Sequence, residues 1–301
     1  MKLLITGAWQ GAKENMDTLR AMGHEVVFLQ QEKDALPVDP SGIEGVICNG
    51  LFLYHPIALF SGLRYIQLTS AGFDRVPMDA VQARGIEIHN ARGVYSVPMA
   101  EHAVWGVLSL YHQAKHFIKN QTESRWEKHR GLRELAGKTV CILGTGSVGT
   151  ECAKRFRAFD CRVLGVNRTV RENPAFDAVL PMDALADALS QADVVVLTLP
   201  LAEATRGLMN AERLGEMKPG AVLVNIARGA IVEEEALADA LRNHLGGAAL
   251  DVFDPEPLSS ESPLWAMENV IVTPHNSFVS DGSADRLNAL ILKHLKENAH
   301  A

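Results

Sequence analysis

One stretch restricts the fold of this chain more than any other. Thr139-Val140-Cys141-Ile142-Leu143 is an apolar, strand-type run that ends directly in Gly144-Thr145-Gly146-Ser147-Val148-Gly149, and Glu151 to Phe156 behind it is helix-compatible. In this strand–loop–helix order each glycine of G-x-G-x-x-G has its own task. Gly144 permits the tight turn, Gly146 lets backbone come close to a pyrophosphate, and Gly149 lets the helix pack closely on the strand. Thr145, Ser147 and Val148 then lie at the positive end of the helix dipole, where free N–H groups stabilise phosphate. The plainer reading is a glycine-rich turn in an α/β protein. The strand before it, the helix after it and a second strand at the expected distance favour a dinucleotide site.

That second strand, Cys161 to Val166, ends in Asn167-Arg168-Thr169. A site for NAD places an Asp or Glu about 20 residues on, where it accepts hydrogen bonds from the ribose hydroxyls. Here the slot, 18 residues past Gly149, holds the neutral Asn167, followed by Arg168. Without a carboxylate a 2′-phosphate is not repelled, and a guanidinium can grip it with two hydrogen bonds. The expected cofactor is therefore NADP(H) in preference to NAD(H), with NAD(H) kept as the alternative.

The rest of the 301 residues suits two α/β domains. Strand-type runs at Leu3–Ile5, Val26–Leu29, Gly45–Gly50, Tyr65–Thr69 and Gly85–Asn90 alternate with helix-compatible segments, which implies a parallel, doubly wound sheet. The turn Gly7…Gly11 lacks the full glycine spacing and reads as structural. Met99 to Phe117 reads as one well-packed helix in which Glu101 and His102 are structural; Gln121 to Arg130, with Trp126, reads as an exposed arm or subunit contact. In the second half, Asp193–Pro200 is a continuous apolar strand, as a sheet covered on both faces requires. Ala221–Ile226, Ala248–Phe253 and Val270–Thr273 are further strands, and residues 281–298 a closing helix.

Charge and composition exclude several classes. Twenty-nine basic against 36 acidic residues give a net charge of −7 with no long basic run, which argues against nucleic acid. No segment approaches the ~20 apolar residues of a membrane span. The four cysteines are scattered without ligand spacing and read as buried free thiols in a reducing compartment, so the expected location is cytoplasmic and no metal site is expected.

Polar residues at strand ends carry the chemistry. Ser70-Ala71-Gly72 directly follows the Tyr65–Thr69 strand, and small residues there expose N–H groups suited to a carboxylate. Arg228, Glu256 and His275 each follow a strand of the second half. Each alone has an ordinary explanation as a surface Arg, an acidic proline-rich loop or a turn histidine. Together, in a domain that binds a dinucleotide, they supply an anion clamp, a carboxylate and an acid/base.

Over essentially its full length the chain resembles the D-isomer-specific 2-hydroxyacid dehydrogenase family, which includes glyoxylate/hydroxypyruvate reductases and phosphoglycerate dehydrogenases. The resemblance rests on Ser70–Asp74, Gly144–Gly149, Leu199-Pro200…Thr205, Asn225–Gly229, Asp251–Pro257 and Thr273–His275. It implies a Rossmann cofactor domain, residues 91–276, inserted into a flavodoxin-like substrate domain formed by residues 1–90 and a C-terminal helix within 277–301. It also implies a homodimer formed through the cofactor domain, with a role for the helix and arm of residues 100–130. The implied reaction is hydride transfer between the cofactor and a small 2-oxo or 2-hydroxy acid. Its carboxylate would lie on the Ala71 and Gly72 N–H groups beside Ser70, and on Arg228, which also polarises the carbonyl. His275 would donate the proton, and Glu256 would favour the imidazolium. Asp251 would orient the nicotinamide carboxamide, and Leu199, Pro200, Thr205 and Ala227 would line the cofactor. Met99, with Phe52 and Tyr54, would face the substrate's R-group. A formate dehydrogenase relative is disfavoured because that branch has an amide in place of the acid beside the histidine. A nucleotide-sensing dimeric interaction protein of the same fold is the alternative, disfavoured by the retention of all three catalytic residues.

Overall fold

The computed structural model describes residues 1–298. The chain divides into two compact units: Met1–Tyr95 together with the segment from Ser280, and Ser96–Val279. Residues 299–301 of the expected C-terminal piece lie outside the described residues.

Unit 1 begins with β1 (Lys2–Thr6), α1 (Met16–Ala21), β2 (Glu25–Leu29), β3 (Gly45–Cys48), β4 (Tyr65–Leu68), α2 (Met78–Ala83) and β5 (Glu87–His89). The strands form one parallel sheet in the order β2-β1-β3-β4-β5. Successive side chains of a strand point to opposite faces. Accordingly Leu4, Val46, Ile66 and Leu68 enter one core, and Leu3, Ile5, Ile47 and Tyr65 enter another.

Unit 2 runs through α3 (Ser96–Tyr111), α4 (Ala114–Thr122), β6 (Thr139–Leu143), α5 (Ser147–Ala158), β7 (Arg162–Val166), β8 (Ala178–Leu180), α6 (Leu185–Gln191), β9 (Val194–Leu197), α7 (Ala211–Gly215), β10 (Val222–Asn225), α8 (Glu234–Asn243), β11 (Gly247–Leu250) and β12 (Val270–Val272). All seven strands are parallel, in the order β12-β11-β10-β9-β6-β7-β8. The order reverses between β6 and β9, the switch point outside which ligands of such sheets bind. Both faces are covered. Ala100, Ala103 and Val107 of α3 and Ala153 and Phe156 of α5 pack on one face, and Leu189 of α6 with Leu237 and Leu241 of α8 on the other.

The last helix, α9 (Ser283–Asn298), belongs to unit 1. Leu287, Ile291 and Leu295 recur every four residues and are buried against the Leu3, Ile5 and Tyr65 face. Burying each such side chain is worth about 1.5–3 kcal/mol, which explains why a short stripe suffices to seat the helix. Trp9 Nε1 donates to Asn288 Oδ1 (2.6 Å), and His294 Nδ1 lies 2.8 Å from Gln67 Oε1 on β4.

Three local features differ from the sequence reading. The helix expected over Met99–Phe117 starts at Ser96 and breaks after Tyr111, because Gln113 adopts a left-handed φ of 52° before α4 begins. The short strand β8 and the helices α6 and α7 had no expectation. The chain divides at Tyr95/Ser96 and Val279/Ser280, beyond the expected cuts at 90 and 276.

Candidate active site

The fingerprint loop links β6 to α5. Gly144 has φ 103°, a conformation that L side chains rarely adopt. A β-carbon on Gly149 would collide with the Gly144 carbonyl oxygen, so the first turn of α5 can close on the loop only with glycine there. Thr198, just past β9, fixes the turn from the side: its Oγ1 lies 3.0 Å from Leu143 O and 2.9 Å from Gly144 O. Gly146 differs from both. It is exposed, and a β-carbon there would meet nothing within 4 Å. That opening lies at the N-terminus of a 12-residue helix, so backbone N–H groups and the positive dipole end face open space. This environment fits the pyrophosphate of a dinucleotide. Ser147 and Val148 form the first turn of α5, and Thr145 packs near Gly165 of β7.

Beyond β7, the backbone N–H of Asn167 donates to Leu180 O (3.1 Å) on β8, and its Nδ2 donates to Thr169 O (3.2 Å). The amide thus closes the turn, with Arg168 and Thr169 exposed beyond it. After β9, Leu199 is buried and Pro200 exposed. Thr205 Oγ1 closes the following loop, 2.8 Å from Pro200 O and accepting from Ala202 N at 2.8 Å.

Arg228 follows β10. Buried Asn225 shapes its loop, accepting from Ala227 N (3.1 Å) and donating to Arg228 O (3.0 Å), while Arg228 Nη1 donates to Ala227 O (2.7 Å). Gly229 lies so close to the Phe253 backbone that no β-carbon would fit, which ties this loop to the one carrying Glu256.

The structure brings Glu256 and His275 together: Glu256 Oε2 lies 2.9 Å from His275 Nδ1, and Glu256 Oε1 accepts from Phe253 N (3.1 Å). The imidazole is half-exposed, with its Nε2 edge opposite the carboxylate, and meets Phe278 edge-to-face at 5.9 Å. His275 itself has φ 51°, an arrangement that costs of the order of 1–3 kcal/mol outside glycine and persists only where surroundings impose it. Asp251 imposes it. Only 1% exposed, its Oδ1 accepts from Thr273 Oγ1 (2.6 Å) and Asn276 N (2.8 Å), its Oδ2 accepts from Ser277 N (2.9 Å), and its carbonyl accepts from His275 N (2.7 Å). Sequence reasoning marked Asp251 for the cofactor and gave no sign of this clamp. Thr273, Asn276, Ser277 and Asn225 were likewise missed as residues that shape the site. The available signal was a row of small hydrogen-bonding residues flanking the histidine.

In unit 1, Ser70 Oγ donates to Gly72 O (3.2 Å), and Asn90 Nδ2 donates to Ala71 O (2.6 Å), fixing the turn after β4. A second acidic clamp went unread there. Glu32 accepts from Thr6 Oγ1 (2.9 Å), Asn49 N (2.6 Å) and Gly50 N (2.7 Å), and so holds the start of the Asn49–Tyr54 loop. Within that loop Phe52 packs on the core, edge-to-face with Phe60, whereas Tyr54 is exposed. Met99, on α3, packs partly against the unit 2 core. Among the described residues no cluster of metal-ligating side chains occurs, and no helix is long and apolar enough to cross a membrane.

An open glycine loop at the switch point of this sheet, with a histidine–carboxylate pair at its strand ends, defines a nicotinamide-dinucleotide oxidoreductase. Residues 104–277 match the D-isomer specific 2-hydroxyacid dehydrogenase NAD binding domain, and the chain belongs to that family. A glyoxylate reductase of Pyrococcus horikoshii is 35% identical over 246 residues, covering 77% of this chain and 72% of the relative. A family protein from Aeromonas salmonicida has a crystal structure that matches with a TM-score of 0.85 at 34% identity, over 98% of this chain and 94% of that one. The structure of a family member from Xanthobacter autotrophicus in complex with NADPH and MES matches with a TM-score of 0.79 at 30% identity, over 99% and 95%.

Proposed function

We propose that this chain reduces a small 2-oxo acid to its D-2-hydroxy acid, using NADP(H) in preference to NAD(H), as a cytoplasmic homodimer. The observation that carries the reading is the 2.9 Å pairing of His275 Nδ1 with Glu256, which leaves the opposite ring nitrogen free of that bond to deliver a proton. When bound, the reduced nicotinamide supplies a hydride to the carbonyl carbon. His275 gives its proton to the carbonyl oxygen, and Glu256 orients the ring and stabilises its charged form. Arg228 holds the substrate carboxylate and stabilises negative charge growing on the oxygen. The Ser70–Gly72 turn contributes backbone N–H groups to the carboxylate, and Met99 lines the R-group. Asp251, besides holding the turn, has acceptor capacity left for the carboxamide, since a carboxylate offers about four lone-pair sites.

The NADP(H) preference is supported by the neutral Asn167 beside exposed Arg168, and by a relative crystallised with NADPH. The homodimer is supported by apolar side chains left exposed on α3, α4 and the segment after them: Trp105 (47%), Ile118 (62%) and Trp126 (98%). The location is supported by four cysteines that are all buried and free. A panel of 2-oxo acids, glyoxylate and hydroxypyruvate among them, assayed with NADPH and with NADH, tests the proposal. Turnover with a higher kcat/KM for NADPH is expected. A clear NADH preference overturns the cofactor assignment, and absence of turnover on every acid overturns the activity.

A further inference from the structure

The proposed reaction uses neither His102 nor Thr273, yet the two connect α3 to the turn that carries the acid. His102 Nε2 lies 3.1 Å from Thr273 Oγ1, and Thr273 Oγ1 lies 2.6 Å from Asp251 Oδ1. The proton positions follow from the groups themselves. An ionised carboxylate only accepts, so the single hydroxyl proton of Thr273 goes to Asp251, and Thr273 must accept from His102. His102 is therefore the Nε2–H tautomer, a donor at the head of a chain His102→Thr273→Asp251. Burial lowers its proton affinity, in keeping with a neutral ring that donates through one nitrogen.

The far end of that chain is the clamp. The Oδ1 atom that receives the Thr273 proton also accepts from Asn276 N at 2.8 Å, and Oδ2 of the same carboxylate accepts from Ser277 N at 2.9 Å. Those amides directly follow His275, and their bonds hold the turn in which it has its left-handed φ of 51°. The near end is equally fixed. Gly106, one turn along α3 from His102, lies so close to β11 that a β-carbon on it would sit 2.6 Å from Ala249 Cβ. The His102 ring also packs on Trp105 at 5.0 Å between centroids. A donor at a fixed height above the sheet thus meets an acceptor on the acid's own turn.

We propose that His102 is a positioning residue for the acid: through Thr273 and Asp251 it holds the turn that presents His275. The proposal rests on the reading of His275 as the proton donor, and it carries a consequence independent of turnover. His102→Phe keeps the ring but removes the donor, whereas His102→Gln can place an amide N–H near the same point. Thr273→Val and Thr273→Ser form the matching pair for the hydroxyl.

The test measures steady-state kinetics with NADPH and hydrogen exchange of the Asn276 and Ser277 amides in the same full-length variants. Loss of alignment through a group remote from the reacting atoms costs of the order of 10- to 100-fold in rate. His102→Phe and Thr273→Val are expected to lower kcat and kcat/KM together by about that factor, with dinucleotide affinity retained and faster exchange at both amides. His102→Gln and Thr273→Ser are expected to restore both readouts. If His102→Phe fails to fold, the Thr273 pair decides alone. Unchanged exchange at Asn276 and Ser277, or a rate loss that neither conservative variant restores, overturns the link. If the unaltered protein reduces no 2-oxo acid, the functional reading fails, while exchange still decides whether His102 holds the turn.

Discussion

Each unit carries a glycine-containing turn after the first strand of its sheet, and the two turns are used in opposite ways. In unit 1 the space beside the glycines is filled by protein. A β-carbon on Gly7 would collide with the Gln30 carbonyl oxygen and one on Gly11 with the Asn288 side chain, while Trp9 between them is buried and bonded to Asn288 of α9. In unit 2 Gly149 serves packing in the same manner, but Gly146 faces open space at the start of a 12-residue helix. The six-residue α1 of unit 1 begins only at Met16. Glycine content alone therefore does not mark a ligand loop. The helix that starts just after the second glycine supplies the N–H groups that make it one.

The largest effect separating the units is chemical. Removing the acid should slow turnover without disturbing either glycine turn, so His275→Ala is expected to lower kcat by about 10²–10⁴, the range for general acid–base groups. Undiminished turnover would refute its role. Next comes the open loop. Gly146→Val should weaken NADPH binding by about 10- to 100-fold, the loss of one or two charge-assisted hydrogen bonds at ~1.5 kcal/mol each, with little change in unfolding midpoint. Titration by fluorescence checks it. Arg168→Leu should lower kcat/KM for NADPH by about 10-fold and leave NADH use intact, if its guanidinium holds the 2′-phosphate.

Unit 1 should answer in stability instead. Gly7→Ala is expected to destabilise by about 1–3 kcal/mol, the usual cost of overpacking, at unchanged NADPH affinity. Loss of affinity without loss of stability would erase the contrast between the two turns. The smallest effect is pH-dependent. Burial holds His24, beside the N-terminal ammonium, and His294, beside His89, below the ordinary 6.5 in unit 1, and burial does the same to His102 in unit 2. The unfolded chain then binds protons more readily than the folded one. Stability is complete above pH 6.5 and falls as pH drops below it toward the lowered values. Urea unfolding at pH 8 and pH 5.5 should show the larger loss in unit 1, which holds two of the three.

These contrasts also show what could be read from residues alone. The sheets were legible because strands covered on both faces are continuous apolar runs, as Val194–Leu197 is. Strand β8 was not, since its three residues are only half-buried at the sheet edge. The break in the long helix at Gln113 has neither glycine nor proline to announce it. Within the candidate site, Arg228, Glu256 and His275 stood out because charged residues interrupt strand ends. Their supports did not. Asp251 reaches Thr273, Asn276 and Ser277 across neighbouring strands, and Glu32 reaches Asn49 and Gly50 from another loop. Such bonds join positions far apart in the chain, with no periodicity to reveal them.

The most direct measurement of the proposed chemistry is the configuration of its product. With NADPH and hydroxypyruvate, or whichever 2-oxo acid turns over fastest, chiral chromatography of the 2-hydroxy acid is expected to find the D isomer alone, at a rate lowered about 10²–10⁴-fold in His275→Ala. An L or racemic product, or turnover undiminished by loss of His275, would contradict the assignment of unit 2 as a D-specific reductase with that histidine as its acid.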